Sequence, residues 1–132
     1  MTSAKKKKKI LLVDDSDVML LTHKMVIGRT GLYELIIAKD GQQAVERAVA
    51  ERPDLILLDV VMPRMTGLEA LEELRSREET RETPIIMVTT RSEAANVEQA
   101  YRWGCNDYVT KPVDPVELIA KIESLLGGRP SR

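Results

Sequence analysis

Five short apolar runs punctuate the chain, at Lys9–Val13, Glu34–Ala38, Leu55–Asp59, Ile85–Thr89 and Tyr108–Thr110. Within them apolar residues mostly follow one another instead of alternating with polar ones, which is how strands buried on both faces read. Between the runs the apolar positions change to a spacing of three or four. Val18, Leu21 and Met25 mark one face of a first helix. Ala44, Val45, Ala48 and Val49 mark a second, opened by the polar pair Asp40-Gly41, and Leu68, Leu71 and Leu74 mark a third. Ala94, Val97, Ala100 and Tyr101 belong to a fourth, and Val116, Ile119, Ile122 and Leu126 to a fifth. Asp114 stands as N-cap of that last helix, with Pro115 at its first helical position. Each marked face predicts core packing.

Strands alternating with helices predict an α/β fold, a doubly wound five-stranded parallel sheet with five helices, because parallel strands need helical crossovers. In such open sheets the ligand site lies outside the carboxyl ends of the strands. Chemically capable residues should therefore collect at the ends of the apolar runs, and they do. The first run ends in Asp14-Asp15, the third in Asp59, the fourth in Thr89, and the fifth leads to Lys111-Pro112. Neighbouring strands are about 5 Å apart, so these groups can form one cluster.

Clustered carboxylates repel one another and stay ionised only beside a cation. An oxygen-rich pocket with open positions suits Mg²⁺, which takes a few carboxylates and keeps several waters or phosphate oxygens. A lysine beside it supplies fixed positive charge for a phosphoryl oxygen, and a threonine hydroxyl can donate to another. Carboxylate nucleophile, metal and lysine together point to phosphoryl transfer through an aspartyl-phosphate. An Asp-Asp pair after a strand is by itself ordinary turn or cap chemistry. Turn chemistry does not ask for three acids and a lysine at one sheet edge.

Composition narrows the picture without redirecting it. The 132 residues suit one domain, read here as residues 9–126 between a basic tail (1–8) and a short C-terminal tail (127–132). Hydrophobic residues make up 43% and charged residues 31%, the balance of a soluble globular chain. A net charge of −1 gives no global pull toward nucleic acid, and no helix-turn-helix or basic stripe is visible. The apolar runs are far shorter than the roughly twenty residues a membrane span needs. The Lys5–Lys9 run lacks the apolar core of a secretory signal and reads as a solvated tail ending where a strand begins. A cytoplasmic location is expected, and the lone Cys105 reads as a small buried hydrophobe.

The segments Ile10-Leu11-Leu12-Val13-Asp14-Asp15-Ser16, Leu58-Asp59-Val60-Val61-Met62-Pro63-Arg64-Met65-Thr66-Gly67, Met87-Val88-Thr89-Thr90 and Asp107-Tyr108-Val109-Thr110-Lys111-Pro112 resemble the receiver domain of two-component response regulators. The likeness spans roughly residues 8–126 and is near in length and layout to the stand-alone, chemotaxis-type (CheY-like) receivers. It implies a flavodoxin-like fold with Asp59 as phosphoacceptor. It implies Mg²⁺ held by Asp15, Asp59 and the backbone carbonyl of Val61, with Asp14 holding a metal-bound water. Lys111, ahead of a cis bond to Pro112, would pair with the phosphoryl group, and Thr89 and the Thr90 backbone would bond it. Thr89 and Tyr108 would form the switch, the tyrosine turning inward as the threonine moves. Val61 and Arg91 would tune the lifetime of the phosphorylated state. Two positions depart from the common pattern: Thr90 and Cys105 stand where alanine is usual.

The resemblance implies a signalling switch rather than an enzyme acting on a separate substrate. Its donor would be a histidine kinase or a phosphotransfer protein. Its output would be a downstream protein bound through the face of helix 4, strand 5 and helix 5, with no nucleic-acid contact and no membrane insertion. The six residues after Leu126 are too few for an effector, so the chain is expected either to signal through protein contact or to be the receiver fragment of a larger regulator. An aspartyl-phosphate hydrolase of the haloacid dehalogenase type is the rival, but its second acid would fall at Val61, which cannot transfer a proton. A pseudo-receiver would lack part of the acid–lysine set, and here the set is complete.

Overall fold

The computed structural model describes residues 7–62, 65–90 and 97–127. Strands β1 (Lys8–Val13), β2 (Tyr33–Ala38), β3 (Leu55–Asp59), β4 (Ile85–Thr89) and β5 (Asp107–Thr110) alternate with helices α1 (Asp17–Gly28), α2 (Gly41–Glu51), α3 (Gly67–Ser76), α4 (Val97–Arg102) and α5 (Pro115–Leu126). The strands pair in parallel in the order β2-β1-β3-β4-β5. β1 therefore lies between β2 and β3, and the chain reverses its direction of travel across the sheet there.

The apolar runs divide by strand alternation into two cores. Leu11, Val13, Ile56, Leu58, Ile85 and Met87 pack with Ala44, Val45, Ala48, Ala70, Leu71, Leu74 and Ala100 from α2, α3 and α4. Ile10, Leu12, Leu55, Leu57, Ile86, Val88 and Val109 pack with Leu20, Ile27, Leu118 and Ile122 from α1 and α5. Every residue of β3 and β4 is buried. Four helix starts carry a capping side chain: Ser16, Asp40, Thr66 and Asp114 each accept a backbone N–H of the first turn. Thr66 and Glu69 cap each other reciprocally, Glu69 N–H donating to Thr66 Oγ1 at 3.2 Å and Thr66 N–H to Glu69 Oε1 at 2.9 Å. Pro115 sits in the first turn of α5, as expected.

Three details correct the sequence reading. Val18, Leu21 and Met25 do not face the core; they are 72%, 57% and 52% exposed, and the buried stripe of α1 is Leu20, His23 and Ile27. Both stripes recur at three and four, and α1 is apolar around most of its circumference. Spacing alone does not choose between them. Tyr101 and Val116 likewise point outward, while Ala100, Leu118 and Ile122 supply the core contacts of α4 and α5. β1 starts at Lys8, inside the stretch read as a tail, and Lys9 pairs with Glu51 of α2 at 3.3 Å. Ala94 and the side chain of Val97 lie outside the described residues.

Candidate functional site

Strand order decides what meets at the carboxyl edge. β1, β3, β4 and β5 are successive neighbours, and β2, whose end offers only Ala38, is set aside at the rim. Backbone bonds continue the sheet one residue past the strands. Asp14 N–H donates to Ala38 O at 3.2 Å, Val60 N–H to Val88 O at 2.9 Å, and Lys111 N–H to Thr89 O at 2.7 Å. The chemically capable residues thus sit on ordered backbone at the edge of a packed sheet.

Asp14, Asp15 and Asp59 come together, each offering an oxygen within 4.8 Å of the others. Asp14 and Asp59 are almost fully buried, whereas Asp15 faces solvent. Lys111 reaches in from beyond β5, its Nζ 3.4 Å from Asp59 Oδ1 and 3.6 Å from Asp14 Oδ2. The peptide bond from Lys111 to Pro112 is cis. Asp14 Oδ1 also accepts the Ser16 N–H at 2.9 Å, and the Val61 N–H donates to Asp59 Oδ1 at 3.4 Å. Burial, and then the Asp14 charge, push the Asp59 carboxyl up to about 6, while Lys111 and the Val61 N–H pull the other way. At neutral pH Asp59 is still mostly ionised, and it is a more basic carboxylate than an exposed one. Three hard oxygen donors crowded beside the Lys111 ammonium fit a divalent cation of the magnesium class.

Thr89 is buried at the end of β4, and its hydroxyl donates to the Thr90 carbonyl at 3.2 Å. Tyr108 is half-buried on β5, its ring edge-to-face with that of Tyr101 at 6.2 Å between centroids. Val61 is 53% exposed at the mouth. This is the position where a hydrolase of the rival type needs its second acid, and the side chain there has no group that moves a proton. Arg91 lies outside the described residues, as do Pro63 and Arg64. Cys105 is buried, and burial pushes its thiol up to about 11, so it is an unreactive packing group.

Two residues matter here to which sequence reasoning gave no role. Gly67 opens α3 against the back of the site, its N–H donating to Val60 O at 2.8 Å; a Cβ there would collide with the carbonyl oxygen of Asp59. The only signal in the sequence was a glycine eight residues past the acid. His23 lies in the inner stripe of α1, buried, with its Nε2 lacking any hydrogen-bond partner among the described residues. Its pKa is lowered, by burial first, with Asp14 raising it and Lys111 lowering it further. No sequence pattern pointed to it.

Comparison with known proteins agrees with this layout. Residues 10–123 match the model of the response regulator receiver domain family. The alkaline phosphatase synthesis transcriptional regulatory protein PhoP of Bacillus subtilis is 37% identical over 119 residues, which are 90% of this chain and 48% of that protein. Protein PilH of Pseudomonas aeruginosa is 35% identical over 120 residues, 91% of this chain and 98% of that one. The chain thus spans about half the length of the first of these relatives and nearly all of the second. Among solved structures, the receiver domain of the sensor histidine kinase PA1611 of Pseudomonas aeruginosa, with a magnesium ion coordinated in its active-site cleft, superposes with a TM-score of 0.84. It is 32% identical, and the match covers 93% of this chain and all of that one.

Proposed function

Because the chain belongs to the response regulator receiver domain family of two-component signalling, we propose that it works as a phosphorylation switch whose acceptor is Asp59. The observation that carries this reading is the juxtaposition of a buried carboxylate with two further carboxylates and an ammonium at one sheet edge. Asp59 ends the fully buried strand β3, and burial raises its carboxyl to about 6.

An Asp59 carboxylate oxygen attacks the phosphorus of a phosphorylated histidine on a kinase or phosphotransfer protein. The new O–P bond forms as the P–N bond breaks, and its electron pair returns to the imidazole of the donor. Lys111, already 3.4 Å from Asp59, pairs with a phosphoryl oxygen of the product. Asp15, Asp59 and the Val61 carbonyl are the groups that would hold Mg²⁺. Asp14, which already accepts from Ser16 and pairs with Lys111, suits a role one water removed. Bound there, the ion supplies charge neutralisation for the phosphoryl oxygens. Thr89 exchanges its bond to the Thr90 carbonyl for one to the phosphoryl group, together with the Thr90 N–H, and Tyr108 moves into the vacated space. The altered face of α4, β5 and α5 is then read by a protein partner. Val61 offers no amide or carboxylate to orient an attacking water, which favours a long-lived phosphorylated state, with Arg91 as its second tuning residue. A cytoplasmic setting fits these partners, and among the described residues no helix is long and apolar enough to cross a membrane.

Phosphoryl uptake from acetyl phosphate, followed by intact-protein mass, tests the reading. Uptake of a single phosphoryl group should require a divalent cation, and Asp15→Asn should shift the Mg²⁺ dependence further than Asp14→Asn. Equal uptake with and without the metal would contradict the assignment of the acid cluster.

A further inference from the structure

Tyr108 is held from outside the phosphorylation pocket by groups that the switch as described does not use. β5 is an edge strand, so half of its backbone groups have no neighbouring strand to bond. Lys121 projects from α5, on the opposite side of the sheet from α4, and its ammonium reaches round this edge. Lys121 Nζ donates to the Tyr108 carbonyl at 2.7 Å and to Asp107 Oδ1 at 3.0 Å, lies 3.3 Å from Glu117 Oε2, and sits 5.2 Å from the centre of the Tyr108 ring. Asp107 Oδ1 also accepts the Tyr108 N–H at 2.8 Å and the Tyr101 hydroxyl at 3.4 Å. Tyr101, from α4, meets the ring edge-to-face. One carboxylate oxygen thus ties α4, β5 and α5 together, and the Tyr108 ring touches both a cation and a second aromatic. The ammonium stays charged, because its bonds to Asp107 and Glu117 outweigh the opposing effect of its burial.

We propose that Lys121 is a positioning residue that latches Tyr108 at the outer edge of the sheet, against Tyr101, and so sets how readily the switch leaves its resting arrangement. This rests on the reading of Asp59 as phosphoacceptor and Tyr108 as its responding aromatic. To turn inward the ring must give up both the ammonium and the Tyr101 edge, contacts that favour the outward position alone. A lysine that merely satisfied an edge carbonyl would contribute stability without biasing the ring.

The test follows the ring directly, using beryllofluoride with Mg²⁺ as a mimic of the phosphoryl group. Lys121→Met keeps the aliphatic stem and removes the cation. It should move the Tyr108 ring-proton resonances of the free protein toward their beryllofluoride-bound positions. It should also tighten apparent beryllofluoride affinity by about 2- to 5-fold, the worth of one partly exposed cation–π contact. Lys121→Arg, which retains a cation beside the ring, should stay near wild type, and Tyr101→Leu should shift the resonances in the same direction as Lys121→Met. If wild type binds beryllofluoride and Lys121→Met leaves ring resonances and affinity unchanged, Lys121 is an edge cap and the latch is overturned. If wild type itself fails to bind beryllofluoride, the phosphoacceptor reading falls first and the latch with it.

Discussion

Two charged clusters flank the C-terminal half of the sheet, and they are built in opposite ways. In the pocket, Asp14 and Asp59 are almost fully buried beside Asp15, and both pair with the ammonium of Lys111. At the outer edge, Lys121, Asp107 and Glu117 are partly solvated and lean on two aromatic rings. Burial makes charge expensive and therefore responsive: adding or neutralising one group in the pocket changes the balance strongly. Partial exposure makes charge inexpensive and geometry adjustable, which is what a moving side chain needs. The pocket is suited to receiving a charge, and the edge to changing shape in response.

The strongest way to break this contrast is to neutralise the pocket. Asp59→Asn should abolish phosphoryl uptake and at the same time stabilise the metal-free fold. The sign follows from a folded-state pKa raised from 3.8 to about 6. The native state then holds the proton more tightly than the unfolded chain. The contribution is full below about pH 4 and is lost as pH rises through about 6. At pH 7 without metal the Asn variant should be more stable by about 1–3 kcal/mol, a gain that vanishes near pH 4 and shrinks with added Mg²⁺. Urea unfolding at several pH values, with chelator and with Mg²⁺, measures it.

Gly67→Ala attacks the backbone beneath the pocket. Its Cβ meets the Asp59 carbonyl and Val60 Cα, main-chain atoms that cannot swing aside. A loss of about 2–4 kcal/mol in denaturant unfolding is expected, in the range of overpacked or strained sites. An unchanged midpoint would mean that the α3 start can shift freely relative to β3.

At the outer edge, Tyr108→Ala should leave phosphorylation intact. It should weaken partner binding by the activated form by about 5- to 150-fold, the usual span of a conformational coupling. Loss of phosphorylation in that variant would move Tyr108 from the switch to the core. The smallest effect concerns His23, buried with no partner for Nε2 among the described residues. Its folded pKa is lowered by burial, so it opposes stability increasingly as pH falls through about 6.5. His23→Leu should stabilise by about 1 kcal/mol, and more at pH 6 than at pH 8.

Much of the pocket could be read from the chain because strand ends announce themselves: a continuous apolar run stops, and the next side chain is an acid or a hydroxyl. All five strands appear where the runs predict them, β3 and β4 residue for residue, and the acid pair, Asp59, Thr89 and Lys111 lie at the expected edge. The less legible features depend on partners distant in sequence. The placement of β1 between β2 and β3 is a choice among strand orders that no single strand encodes. The closeness of Gly67 to the Asp59 carbonyl depends on how a helix start docks on a strand. The reach of Lys121 round an edge strand requires knowing that β5 is the edge. In α1 the expected stripe and the buried one recur at the same spacing, and packing buries the one containing His23.

The central claim is that Asp59 alone receives the phosphoryl group. Borohydride reduction of protein phosphorylated by acetyl phosphate in Mg²⁺ converts an acyl phosphate to an alcohol at the labelled residue, which peptide mass spectrometry then locates. The account predicts the reduced residue at position 59 and nowhere else. Reduction at Asp14 or Asp15, or at any acid outside the pocket, would contradict it.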